Sequence, residues 1–302
     1  MASQAGEEAG MADDGRDKAG SAGSARASKP AKKRFSDLPK RIASGAVYLI
    51  AFLACLYLGP ISTMVLIAVV SGLCAYEFYR MMRISGLMPI SVLGIVFAIC
   101  YPITAFIGGQ TLMLGLTFIL LGILALWYVI YPRVRVTDIS VTLFGAVYTG
   151  LMLSSFVLVR DGITGYSGGA VALVVFVSVV INDSFAYLVG SRFGRHKLVP
   201  RISPNKSWEG FLGGLAGSML VWLALPFIPA VDVSVVEALV MGAVCGVVGL
   251  LGDLTESRIK RGAGVKDAGT IMPGHGGMFD RVDSLILVSF VSYLMLKLLG
   301  VL

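Results

Sequence analysis

Charged side chains are scarce in this 302-residue sequence, at 14% against the roughly 25% usual for soluble domains. Such a chain has too little polar surface to cover a soluble fold, and a hydrophobic content of 56% with a mean hydropathy of +0.84 agrees. Histidine is limited to two residues, and the four cysteines, Cys55, Cys74, Cys100 and Cys245, stand singly in apolar stretches with no CxxC pair. That pattern excludes a disulfide framework and a zinc site. The motifs G-x-S-x-G and GxxxxGK[ST] are missing too, which removes a serine nucleophile elbow and a P-loop. There is no internal repeat, and the two halves lack the matched interrupted helices of an inverted-repeat transporter.

What the sequence does contain is a series of long apolar runs, several reaching the roughly 20 residues a helix needs to cross a bilayer. Nine spans can be drawn, at 43–59, 61–80, 88–108, 111–131, 139–159, 169–190, 209–228, 234–254 and 284–302. The expected fold is therefore an all-α polytopic membrane protein of about nine transmembrane helices. The net charge of +7 does not point to nucleic acid, because the basic residues sit in the N-terminal tail and in alternate loops. Arg80 and Arg83, then Arg133 and Arg135, then Arg192, Arg195, Lys197, Arg201 and Lys206, and finally Arg258, Lys260, Arg261, Lys266 and Arg281 fall on one side. The other side has only Arg160, with Lys297 near the outer end of the last span. The positive-inside rule then places the N-terminus in the cytoplasm and the C-terminus outside.

Residues 1–38 are rich in Ala, Gly, Ser, Lys and Asp with almost no large apolar side chain, so a disordered basic tail is expected there. A signal peptide fits poorly, because the apolar run begins beyond residue 42 and no small-residue cleavage site follows it. Residues 39–302 form one transmembrane catalytic domain. Without organelle-targeting features, a bacterial plasma membrane is the expected location, with the site facing the cytoplasm.

Chemistry concentrates late in the chain. The first five spans carry few ionisable residues, with Glu77 in AYEFYR the main exception, whereas two polar loops, 182–210 and 252–284, hold most of the rest. In the first loop, Asp183 lies within an apolar segment, where a carboxylate costs about 3 kcal/mol and must find a partner. Ser203, Asn205, Lys206 and Ser207 precede the seventh span and could cradle a phosphate, although capping explains Ser207 and topology explains Lys206 equally well.

The second loop is the stronger signal. Asp253, Asp267, Asp280 and Asp283 alternate with Arg258, Lys260, Arg261, Lys266 and Arg281, and six glycines lie between Gly262 and Gly277. Basic side chains with a glycine-freed backbone suit a polyphosphate, and hard carboxylates suit Mg²⁺. Asp280 and Asp283 share a helix face at the start of the ninth span, while Asp253 closes the eighth, so these three are the expected metal ligands. His275 in PGHGG could bind phosphate, move a proton or brace the turn, and His196 reads as a surface histidine.

The run from Ser257 to Asp283 resembles the phosphatidate cytidylyltransferases, also called CDP-diacylglycerol synthases. Their pattern is matched at Ser257, Lys260, Arg261, Lys266, Asp267, Gly269, Pro273, His275, Gly276, Gly277, Asp280, Arg281 and Asp283, with Met272 where Leu, Ile or Phe is usual. A second family pattern, S-P-x-K-[ST]-x-E-G, is matched by Ser203, Pro204, Lys206, Ser207, Glu209 and Gly210, with Asn205 at its variable position. Asn182, Asp183, Ala186, Tyr187 and Gly190 also resemble the family. The resemblance implies Mg²⁺-dependent transfer of a cytidylyl group from CTP to phosphatidate, releasing pyrophosphate. It implies catalytic roles for Asp253, Asp280, Asp283, Lys266 and His275. Substrate contacts would come from Asp183, Ser203, Asn205, Lys206, Ser207, Ser257, Lys260, Arg261, Asp267 and Arg281. A second cation and a homodimer stay open, and the partners are CTP, phosphatidate and membrane lipid. A CTP-using polyprenol or phytol kinase would share these features but release CDP, and a transporter would spread its carboxylates across several midplane segments.

Overall fold

The computed structural model describes residues 38–271 and 276–302, with side chains from residue 45 onward. The expected tail, as well as Met272, Pro273 and His275, lies outside the described residues. Among the described residues nine α-helices follow in order: α1 (Leu38–Leu58), α2 (Pro60–Ile84), α3 (Ser91–Ile130), α4 (Val136–Ala146), α5 (Leu153–Asp161), α6 (Tyr166–Phe193), α7 (Trp208–Trp222), α8 (Val235–Gly262) and α9 (Phe279–Leu298). A π-helical turn at Val147–Met152 joins α4 to α5, so residues 136–161 run as one rod. Among the described residues, six helices are long and apolar enough to cross a membrane.

Helix α3 covers two of the runs seen in the sequence. Forty residues at about 1.5 Å each would make a rod twice the hydrocarbon thickness if straight. It is not straight, because Gly108 and Gly109 leave the helical region, and Gly109 takes φ 58°, which a side chain would strain. The Tyr101 and Thr117 hydroxyls, sixteen residues apart, lie 3.0 Å from each other. Only a fold-back at the two glycines allows that contact, so α3 is a hairpin of two legs.

The described chain has one small sheet, an antiparallel hairpin of β1 (Lys197–Val199) and β2 (Ser203–Ser207) that pairs Lys197 with Ser207 and Val199 with Ser203. It interrupts the all-helical pattern between α6 and α7. The core of the front half is aromatic: Phe78, Tyr79, Tyr101 and Phe156 are buried, and Phe144 stacks on Tyr148 at 5.3 Å between ring centres. The back half packs on glycine. A Cβ at Gly210 would stand 2.8 Å from the Ala186 carbonyl oxygen, and one at Gly214 would stand 2.7 Å from the Asn182 carbonyl oxygen. Lipid gives helices no hydrophobic reason to associate, so small residues that let backbones touch supply the packing instead.

Candidate active site

The same glycine logic builds the site. At Gly252 a Cβ would stand 2.6 Å from the Asp283 carbonyl oxygen, so α8 and α9 are in backbone contact there, and the Ser284 hydroxyl donates to the Gly249 carbonyl at 2.9 Å. Residues one and four positions beyond Gly252 then face the start of α9. Asp253, Glu256 and Asp283 each offer a carboxylate oxygen, and these atoms lie within 4.8 Å of one another. Opposite ligands of an octahedral Mg²⁺ stand about 4.2 Å apart, so the group fits such an ion after small side-chain rotations.

Two lysines touch this group. Lys206, brought in by β2, pairs with Asp253. Lys260, one turn along α8, stands 2.5 Å from a Glu256 oxygen and donates to Asp280 at 2.7 Å. Asp183 on α6 lies within electrostatic reach of Asp253, Lys206 and Arg281. Among the described residues, five carboxylates therefore meet three cations at one end of the helices. Like charges so close call for a further cation or shared protons.

Asp280 does not join the close triad expected for it. One of its oxygens accepts from Lys260, and the other accepts from the backbone N–H groups of Ala268 at 3.0 Å and Gly277 at 2.8 Å. The carboxylate thus ties the glycine-rich loop to α8, and Glu256 occupies the third place beside Asp253 and Asp283. Glu256 is 1% exposed, and no hydrogen-bond donor reaches its Oε1. Glu256 is absent from the residues expected at the site, and its i+3 spacing from Asp253 is the one signal of it in the sequence.

The other expected residues are spread around this centre. The Ser257 hydroxyl donates to Asp253 at 3.2 Å, and Arg261 reaches the Val265 carbonyl at 3.4 Å. Lys266, Asp267 and Arg281 are exposed, as is Asn205, and Ser203 is half-buried. Ser207 is a helix cap, accepting from the Gly210 N–H at 3.2 Å. Glu209 accepts from the backbone N–H groups of Arg195 and His196 at 3.2 Å and faces the His196 Nδ1 at 2.7 Å, which fastens the hairpin that carries Lys206.

A second carboxylate outside the expected set also supports the site. Glu77 on α2 is fully buried and accepts from the Phe279 N–H, 202 residues away, at 2.8 Å. Gly269 and Gly277 pack so closely on its carboxylate that neither has room for a Cβ. Glu77 therefore braces both the loop and the first turn of α9, which holds Asp280 and Asp283. Spacing in the sequence gives no hint of a contact this distant.

Residues 39–299 match the Cytidylyltransferase family over nearly the whole described chain. The chain belongs to that family. It is similar to the phosphatidate cytidylyltransferase of Staphylococcus aureus, with 34% identity over 82% of this chain and 95% of that protein. The Bacillus subtilis phosphatidate cytidylyltransferase is 29% identical over 87% of this chain and 98% of its own length. Phosphatidate cytidylyltransferase 5, chloroplastic, of Arabidopsis thaliana is 36% identical over 55% of this chain, which spans about half, 47%, of that longer protein. Membership makes the chain a nucleotidyltransferase, and the shared region contains the whole carboxylate and lysine cluster.

Proposed function

We propose that this chain transfers the cytidylyl group of CTP to phosphatidate, giving CDP-diacylglycerol and pyrophosphate, at a site facing the cytoplasm. The observation that carries the reading is the meeting of Asp253, Glu256 and Asp283 with Lys206 and Lys260 where α8 and α9 touch. In the reaction a phosphate oxygen of phosphatidate attacks the α-phosphorus of CTP, and the bond from that phosphorus to the β-phosphate oxygen breaks. No protein nucleophile is required, so alignment and charge neutralisation are the protein's task.

Asp253, Glu256 and Asp283 would hold Mg²⁺. When bound, the ion supplies positive charge against the triphosphate and the departing pyrophosphate. Lys206 and Lys260 already stand beside these carboxylates and are placed to reach a phosphate bound next to them. Asp280 keeps Lys260 and the loop in register, and Glu77 holds the loop from below. Arg261, Lys266 and Arg281 add cationic side chains around the loop.

The proposed topology has nine spans, with the N-terminus in the cytoplasm and the C-terminus outside. Folding back of α3 divides it into two legs, and α1 and α9 add two shorter crossings to the remaining rods. The basic loops around residues 192–206 and 258–266 lie at the end that carries the carboxylates, so the positive-inside rule turns this end to the cytoplasm of a cell membrane. The test is incubation of the purified protein with labelled CTP, phosphatidate and Mg²⁺. A lipid-soluble cytidine product with equimolar pyrophosphate is expected, whereas labelled CDP without such a lipid would assign a kinase.

A further inference from the structure

A pocket of about 330 Å³ lies between the end of α2 and the start of α3, lined by Tyr76, Tyr79, Arg80, Arg83, Ile84, Ser91 and Ile95. It sits at the same end of the bundle as the carboxylate cluster, because Glu77 in the adjoining turn of α2 bonds the first turn of α9. It shares no residue with that cluster. Tyr76, Arg80, Arg83 and Ile84 follow one another at helical spacing and form one wall, and the neighbouring Glu77, though within electrostatic reach of Arg80, is buried and accepts from the Phe279 N–H.

Three features give this pocket a preference for negative charge. Its lining includes two arginines and no acidic residue. Both arginines are exposed, and no carboxylate forms an ion pair with either of them among the described residues. The third feature is the start of α3. Its N-cap residue is Ile90, no side chain caps its first turn, and Ser91 at the first helical position opens onto the pocket. The Ser91 N–H itself donates to the Pro89 carbonyl at 2.9 Å, so what the helix start adds beside the guanidinium groups is the positive end of its dipole. The helix start alone would be ordinary, but with two unpaired arginines in a formed pocket it makes an anion site.

The surroundings decide which anion. Ile84 is 56% exposed, Val92 74% and Val96 48%, and they rise beside the pocket on surfaces that face lipid in a membrane-spanning bundle. Toward the bundle's middle the pocket is closed, because Ile99 packs on Gly72 where a Cβ would stand 2.8 Å away. An occupant with a charged head and an apolar tail would set the head on Arg80 and Arg83 and leave the tail outside along α3. We propose that this pocket binds the phosphate of an anionic phospholipid, as a site separate from the carboxylate cluster.

The test uses the full chain in phosphatidylcholine vesicles doped with phosphatidylglycerol that carries a photoreactive diazirine in its acyl chain. This probe is a phosphodiester and lacks the phosphomonoester used in the proposed reaction, so labelling and turnover can fail separately. Saturable labelling of residues 84–96 is expected, competed by unlabelled phosphatidylglycerol and not by phosphatidylcholine. The Arg80→Gln/Arg83→Gln variant should lower it roughly tenfold, since two charge-assisted phosphate contacts are lost. Ile95→Trp fills the pocket and keeps both charges, and it should lower labelling similarly even if the arginine variant folds poorly. Wild-type labelling in Ile95→Trp, or equal competition by phosphatidylcholine, would overturn the site. Displacement of the probe by inorganic phosphate would overturn the lipid assignment in favour of a soluble anion.

Discussion

The front of the molecule, α1 to α5, and the back, α6 to α9, solve the same packing problem in different ways. In front, large rings fill the space between helices: Phe78 lies 5.7 Å from Phe144, and Tyr79 sits where Cβ atoms on Gly94 and Gly145 would be. At the back, backbone meets backbone at Gly210, Gly214 and Gly252. Rings set helices apart, and the polar groups between them are paired locally, as where the Tyr79 hydroxyl donates to the Thr142 carbonyl at 2.6 Å. Glycine contacts bring helix ends close enough for carboxylates on separate helices to share one position. The geometry of the candidate site is thus a product of how the back half packs, and the front half reaches it through the first turn of α9, where the buried Glu77 accepts from the Phe279 N–H.

The sharpest way to break this contrast is to remove a converging charge. Asp283→Asn keeps the shape, and turnover should fall by about 10³-fold or more, since losing a metal-borne charge removes several kcal/mol of barrier lowering. A radiolabelled CTP assay on protein matched for membrane level reads this, and near wild-type turnover would make the carboxylates structural. Next comes the packing itself. Gly252→Ala places a Cβ 2.6 Å from the Asp283 carbonyl oxygen, so α8 and α9 must separate. A loss of about 1–3 kcal/mol in stability is expected, with reduced turnover, read by thermal unfolding in detergent and by the same assay.

Glu77 tests whether the front half matters to catalysis. Glu77→Ala removes the acceptor from the Phe279 N–H and leaves a buried donor unsatisfied, at a cost of about 1–3 kcal/mol. Turnover should fall with it, and hydrogen exchange in the loop of residues 263–271 should rise. Glu77→Gln retains an acceptor oxygen and should recover most of the activity. Equal loss in both variants would mean that charge, rather than positioning, is what Glu77 supplies. The smallest effect belongs to Gly115→Ala in α3, where a Cβ meets nothing within 4 Å. Activity should be unchanged and stability equal or higher by up to about 1 kcal/mol, because alanine favours a helix more than glycine does. A loss like that of Gly252→Ala would erase the contrast between the two halves.

Much of this arrangement is legible in the sequence because membrane spans restrict where polar residues can go. Asp253 ends one apolar run and Asp283 opens another, so their approach follows once the two runs pack, and the Gly108–Gly109 pair separates the legs of α3 just where the runs were divided. What escapes the sequence is whatever depends on rotation and on contacts between distant segments. Asp280 and Asp283 share a helix face, yet the loop's N–H groups claim Asp280 and leave Glu256 in the triad. Glu77 reads as an isolated charge until α2 is set against the loop. The β1–β2 hairpin was likewise hidden in a polar stretch with no alternating pattern, where Glu209 and the backbone N–H groups hold it in shape.

The central claim is that Asp253, Glu256 and Asp283 together form a divalent-cation site. Titration of the purified protein with Mn²⁺, followed by electron paramagnetic resonance in wild type and in Glu256→Gln, tests it most directly. The account predicts saturable Mn²⁺ binding that Mg²⁺ displaces in the wild type and that is weakened at least about tenfold in the variant. Unchanged Mn²⁺ binding in Glu256→Gln would contradict it.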